Sequence, residues 1–136
     1  MKAAIDVAYE GNRGVAACVL FDAWDAPEPS AECVAEVDPV TAYQPGEFSR
    51  RELPCLLAVL KMAVPSPAIV LVDGHVWLDD PKPPSPRAPG LGAMLFSALG
   101  ETTPIIGVAK RAFKRSQGAE LVFRGQSERP LYVTAV

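Results

Sequence analysis

A chain of 136 residues with 49% hydrophobic content can bury a real core but is too short for two domains of ordinary size, so one domain spanning residues 1–136 is expected. A net charge of −3 argues against coating nucleic acid by bulk attraction. No apolar run is long enough to cross a membrane, and Met1-Lys2-Ala3-Ala4-Ile5-Asp6 lacks the apolar centre of a signal peptide, which makes the cytoplasm the expected compartment.

Lys2 to Tyr9 reads as a strand with Ile5, Val7 and Tyr9 on one face and Asp6 on the other, between Ala4 and Ala8. Glu10-Gly11-Asn12-Arg13-Gly14 has the composition of a hairpin turn, with a second strand over 15–23 and, beyond the break at 27–30, a third over 31–37. Three strands joined this closely start an antiparallel sheet. From Glu47 to Met62 the period changes: Phe48, Leu53, Leu56, Leu57, Leu60 and Met62 recur at helical spacing, and Pro54 is tolerable near the helix start. Glu52 falls near that amino end.

Pro65 and Pro67 end the helix, and the run Ala68-Ile69-Val70-Leu71-Val72 that follows is a buried strand. It stops at Asp73-Gly74-His75, and His75 is the only histidine of the chain. The carboxyl end of a strand is where open α/β sheets present ligands; taken alone, Asp73-Gly74 reads better as an ordinary strand-ending turn, and the second carboxylate inside a strand, Asp6, is what shifts the balance. Residues 75–89 form a proline-rich loop carrying Asp79 and Asp80, expected to be extended and lid-like. A second helix follows over 91–99, ended by Gly100, then a parallel strand over 104–109. A short basic helix over 110–116 and two late strands over 120–123 and 131–135, paired as a hairpin, complete the reading.

Cys18, Cys33 and Cys55 are odd in number and form no Cys-x-x-Cys pair, so reduced, mostly buried thiols are expected rather than a disulfide framework or a zinc site. Charge is unevenly spread. Between Gly107 and Arg129 six basic residues stand against two acidic ones, a net +4 that leaves −7 for the rest of the chain. That split suits a phosphate-binding patch beside an acidic cleft, and suits an ordinary solvated surface as well.

Three antiparallel strands, helix, parallel strand, helix, parallel strand is the element order of a ribonuclease H-like α/β domain with a mixed sheet and flanking helices. In that order the first strand and the strand after the first helix are neighbours, so Asp6 and Asp73 are expected to face one another with Glu52 reaching in from the helix. Three converging carboxylates repel, and a divalent cation resolves the repulsion. Oxygen-only ligands select Mg²⁺, with Mn²⁺ as the alternative, over zinc. Such a site supports phosphodiester hydrolysis, in the usual scheme with two ions about 4 Å apart.

The ordered series Asp6-Val7-Ala8-Tyr9, Tyr43-Gln44-Pro45-Gly46 with Arg51-Glu52, Val72-Asp73-Gly74-His75, Gly90-Leu91 and Ile106-Gly107-Val108-Ala109-Lys110 resembles the motif set of the endonuclease V family, from residue 4 to about 134. The resemblance implies a Mg²⁺-dependent endonuclease that acts on DNA or RNA containing a deaminated adenine and nicks 3′ to it. It implies Asp6, Glu52 and Asp73 as metal ligands and catalytic acids, and Lys110 as a catalytic residue beside the scissile phosphate. Tyr43 would be a wedge filling the gap left by the extruded base; Pro45, Gly46, Gly74, His75 and Ala109 would surround that base. Read without the resemblance, Tyr43 is a half-exposed loop aromatic, Gly46 a cap residue and Lys110 a solvated lysine.

The sequence departs from the family pattern in three places. The family carries a helical segment ahead of the first strand, which here begins at Lys2. It also continues past the last strand into a helix with a further metal-site residue, and this sequence ends at Val136. A histidine-proline pair of the family is replaced by Asp79-Asp80-Pro81, making Asp79 or Asp80 a candidate substitute acid. Two further readings are a catalytically weak or silent relative that binds nucleic acid or a protein, and a ribonuclease H-like nuclease without base preference.

Overall fold

The computed structural model describes residues 1–42, 44, 48–113 and 118–136, with Phe48 described by its backbone alone. Two units divide the chain, Met1–Leu71 and Val72–Val136.

In the first unit, alternation of small apolar residues builds β1 (Lys2–Glu10), β2 (Arg13–Phe21) and β3 (Ala31–Val37), paired antiparallel in that order. The β1–β2 connection is only Gly11 and Asn12, and Gly11 takes the positive φ of 59° that a two-residue hairpin turn places at its first central position. Strand pairing therefore runs to Glu10 opposite Arg13, one residue further on β1 and two on β2 than composition suggested, and these two side chains form an ion pair. Ala3 and Ile5 on β1 and Ala16, Cys18 and Leu20 on β2 are buried, while Asp6 on the alternate face is exposed.

Helix α1 (Phe48–Leu60) packs over these strands. Its buried positions are Glu52, Cys55, Leu56 and Val59, one stripe at spacing i, i+3, i+4, i+7. That stripe is rotated from the one read in the sequence: Leu53, Leu57 and Leu60 flank it, and Met62 lies past the helix end, exposed. The reason is steric. Small Cys55 and branched Val59 let the helix backbone approach the sheet closely, and the Cys33 Sγ lies 3.8 Å from the Val59 carbonyl. Pro54 sits on the exposed side of the second turn. The start of β4 (Ile69–Asp73) adds to β1, giving the strand order β3-β2-β1-β4.

The second unit continues from the end of β4 into order β4-β5-β7-β6, with β5 (Ile105–Ala109), β6 (Glu120–Val122) and β7 (Leu131–Ala135). The late strands form the expected antiparallel hairpin, β7 pairing β5 on its other side. Helix α2 (Leu91–Ala98) buries Leu91, Gly92, Ala93 and Leu95.

The loop over 75–89 is not an extended lid. It doubles back on itself, with Trp77 bridged to Pro89 and Lys82 to Ser85. Side chains close the loop where prolines leave no backbone donors: Arg87 donates twice to the Asp79 carbonyl while stacking on Trp77, and the Asp79 Oδ1 accepts the Ala88 N–H at 2.7 Å. The expected basic helix is not seen over Lys110–Phe113, which are irregular; its remainder lies outside the described residues. All three cysteines are free thiols, with Cys18 and Cys55 buried. Burial pushes the Cys18 thiol up to about 12, aided by Cys33 directly opposite on β3. Among the described residues no helix is long and apolar enough to cross a membrane.

Candidate active site

In the first unit Glu52 lies close enough to Tyr9 to act on its phenol, and Asp6, on the other face of β1, acts on it weakly. Glu52 is 3% exposed on the packed stripe of α1, an expensive location for an acid. Asp6 is exposed in the middle of β1, and its Oδ1 accepts the N–H of Val7 at 2.8 Å. Both are felt at the Tyr9 phenol, whose pKa is pushed up to about 12 by burial first, then by Glu52, with a smaller push from Asp6 and an opposing pull from Arg51. The Arg51 guanidinium lies 4.0 Å from the Tyr9 ring centroid and donates to the Gly11 carbonyl at 3.0 Å. Tyr9 and Arg51 thus tie the amino end of α1 to the β1–β2 turn next to Glu52. Sequence reasoning gave neither a role, although both lie within the quoted motifs.

The second unit is built around the exit of β4. Asp73, its last residue, is half exposed and lies 3.4 Å from the Lys110 Nζ at the end of β5. Gly74 (φ 149°) bonds its N–H to the Val108 carbonyl at 3.0 Å. The approach is so close that a Cβ on Gly107 would stand 2.4 Å from the Gly74 oxygen. Ala109, the other residue read on this strand, is buried. Beyond Gly74, the Val76 N–H donates to the hydroxyl of buried Thr134 at 2.9 Å. Thr134 carries no motif signal and only the fold reveals its part.

The His75 ring is fixed from both sides. Its Nε2 is 2.9 Å from the Arg111 carbonyl and Phe113 packs edge-on against it; a carbonyl only accepts, so Nε2 carries the proton. Nδ1 is buried and has no hydrogen-bond partner among the described residues. Asp79 and Asp80 are engaged in loop structure: Asp79 as above, Asp80 accepting the N–H of Gly118 at 2.9 Å. Tyr43, Pro45 and Gly46 lie outside the described residues.

Each unit therefore gathers part of the set: Asp6 and Glu52 in one, Asp73, Gly74, His75, Ala109 and Lys110 in the other. No group of three or more His, Cys, Asp and Glu side chains that could hold a metal ion is found among the described residues. The chemistry of the candidate ligands, carboxylate oxygens alone, fits a hard divalent cation.

A mixed α/β sheet of seven strands in this order, with two helices, defines a ribonuclease H-like protein. The Endonuclease V family model matches residues 1–134, and the chain belongs to that family. Endonuclease V of Desulfurococcus amylolyticus is 35% identical over 109 residues, 80% of this chain and 46% of that protein. Endonuclease V of Xylella fastidiosa is 38% identical over 113 residues, 82% of this chain and 44% of that one. The crystal structure of the Streptomyces avermitilis Endonuclease V superposes with a TM-score of 0.73 at 26% identity, covering 97% of this chain and 63% of that chain. The Bacillus subtilis Endonuclease_V structure gives 0.72 at 21% identity, covering 98% and 64%. This chain spans slightly under half the length of the two curated relatives.

Proposed function

We propose that the protein is an endonuclease of the endonuclease V type, hydrolysing a phosphodiester bond 3′ to a deaminated adenine in DNA or RNA, with Mg²⁺ or Mn²⁺ held by Asp6, Glu52 and Asp73. The observation that carries this reading is Glu52. A carboxylate 3% exposed on the packed stripe of an amphipathic helix is uncommon, because burying its charge costs free energy, and acids so placed mark functional sites.

When bound, the ion supplies Lewis acidity at the phosphate and a water of lowered pKa. Lys110, with its ammonium well exposed beside Asp73, pairs with the negative oxygens of the scissile phosphate. His75, whose Nε2 faces the Arg111 carbonyl, stands beside Asp73 and Gly74 as part of the base pocket. By resemblance to the family motifs, Tyr43 would serve as the wedge for the extruded base, and Pro45, Gly46, Gly74 and Ala109 would shape the base pocket.

The test is cleavage of an oligonucleotide carrying one inosine, in Mg²⁺ and in Mn²⁺, against the same strand with adenine. The expected result is a single nick 3′ to inosine that is absent from the Asp73→Ala variant. Product no greater than in that variant rejects the proposal; binding of the inosine strand without cleavage in either metal replaces it by a silent nucleic-acid-binding relative, and equal cutting of both strands by a nuclease without base preference.

A further inference from the structure

Strand β6 ends the sheet, and its side chains face solvent. Leu121 is 52% exposed, Val122 44% and the following Phe123 58%. An edge strand with unpaired backbone groups is a template for another strand, and soluble proteins usually blunt such edges with charge. Here the apolar triplet is flanked by charges of opposite sign, Glu120 before it and Arg124 after it. The Arg124 carbonyl accepts the Ser127 N–H at 2.9 Å and Gly125 has φ 51°, so a turn closes the extended stretch at residue 124.

We infer that β6 is a self-association edge, on which a second copy of this chain adds its own Glu120–Arg124 segment antiparallel about a two-fold axis at Val122. In that register Glu120 stands opposite Arg124 of the other copy, Leu121 opposite Phe123, and Val122 opposite Val122. Both charges are paired and both faces of the ribbon join apolar to apolar side chains. The same sequence rejects the alternative: parallel in-register stacking sets Glu120 on Glu120 and Arg124 on Arg124. Because a two-fold pair joins β6 only to β6, it occupies that edge of each copy and closes at two; the other edge strand, β3, takes no part in it. Five paired positions bury far less than the roughly 1,200 Å² of a stable interface. The association is accordingly a weak, concentration-dependent equilibrium, and it stands independently of the proposed nuclease activity.

The experiment is a charge-reversal cycle followed by sedimentation equilibrium at low salt, with the full chain as wild type, Glu120→Arg, Arg124→Glu and the double variant. All the altered side chains are exposed, and circular dichroism confirms that each variant is folded. The expected result is a monomer–dimer equilibrium for wild type, a dimer dissociation constant weakened about tenfold in each single variant, and recovery in the double variant. A wild-type protein that stays monomeric up to roughly 1 mM, single variants that dimerise as well as wild type, or a double variant as weak as the singles overturns the inference. The last outcome assigns the edge to a different strand partner.

Discussion

At Tyr9 the environment of the acids can be read from a neighbour. The phenol titrates at 10.0 when unperturbed and at about 12 in the fold, so the folded state prefers its neutral form. That preference contributes stability in full below pH 10 and loses it as pH rises through about 12. Absorbance of tyrosinate against pH should show a late-titrating phase that Tyr9→Phe removes; a phase unchanged by the substitution would move the effect to another tyrosine. Lys110 poses the complementary question. Its pair with Asp73 is solvent-exposed on both sides, and such pairs contribute under about 1 kcal/mol. Lys110→Ala is expected to leave the denaturation midpoint nearly unchanged while lowering kcat about a hundredfold, the usual effect of removing one group that stabilises developing charge. Comparable losses in both would make the lysine structural. The positions of Asp6 within β1, Glu52 on α1 and Asp73 at the end of β4 were legible in the sequence, because a carboxylate interrupts an apolar strand or helix pattern. Thr134 was not, because its hydroxyl acts on a backbone N–H 58 residues away.

Helix α1 shows what periodicity conveys and what it conceals. The existence of the helix follows from the spacing of its leucines, but its buried stripe runs through Glu52, Cys55, Leu56 and Val59, because closeness to the sheet rewards small and branched side chains over long ones. An acid on that stripe should weaken the fold. Glu52→Leu is therefore expected to raise unfolding free energy by about 1 kcal/mol or more while abolishing cleavage, measured by chemical denaturation and the oligonucleotide assay; a less stable variant would mean that the carboxylate is a structural anchor. The close approach of β5 to the chain leaving β4 is governed by the opposite constraint, absence of a side chain. A methyl group at Gly107 meets backbone, the Gly74 carbonyl, at 2.4 Å, and backbone does not step aside. Gly107→Ala is expected to cost ~2–3 kcal/mol, seen as a lower denaturation midpoint, and a neutral substitution would contradict the contact. The strand ends at 37, 73 and 109 were readable from punctuation by turns and charge. The folded-back loop over 75–89 was not, since prolines announce irregularity without saying which side chains close it.

Across the whole molecule, family membership and α/β architecture agree with the reading of ordered motifs, and each motif falls on its anticipated element wherever the residues are described. The charge split suits the proposed chemistry: acids on β1, α1 and β4, basic residues from Lys110 onward. The account depends on Asp6, Glu52 and Asp73 acting as ligands of one divalent cation site, and Mn²⁺ titration followed by electron paramagnetic resonance of the free ion tests that without requiring turnover. The prediction is saturable binding by the wild-type protein, weakened at least about tenfold in each of Asp6→Asn, Glu52→Gln and Asp73→Asn. A wild-type protein that leaves the free-ion signal untouched, or any one of these variants binding as tightly as wild type, would contradict it.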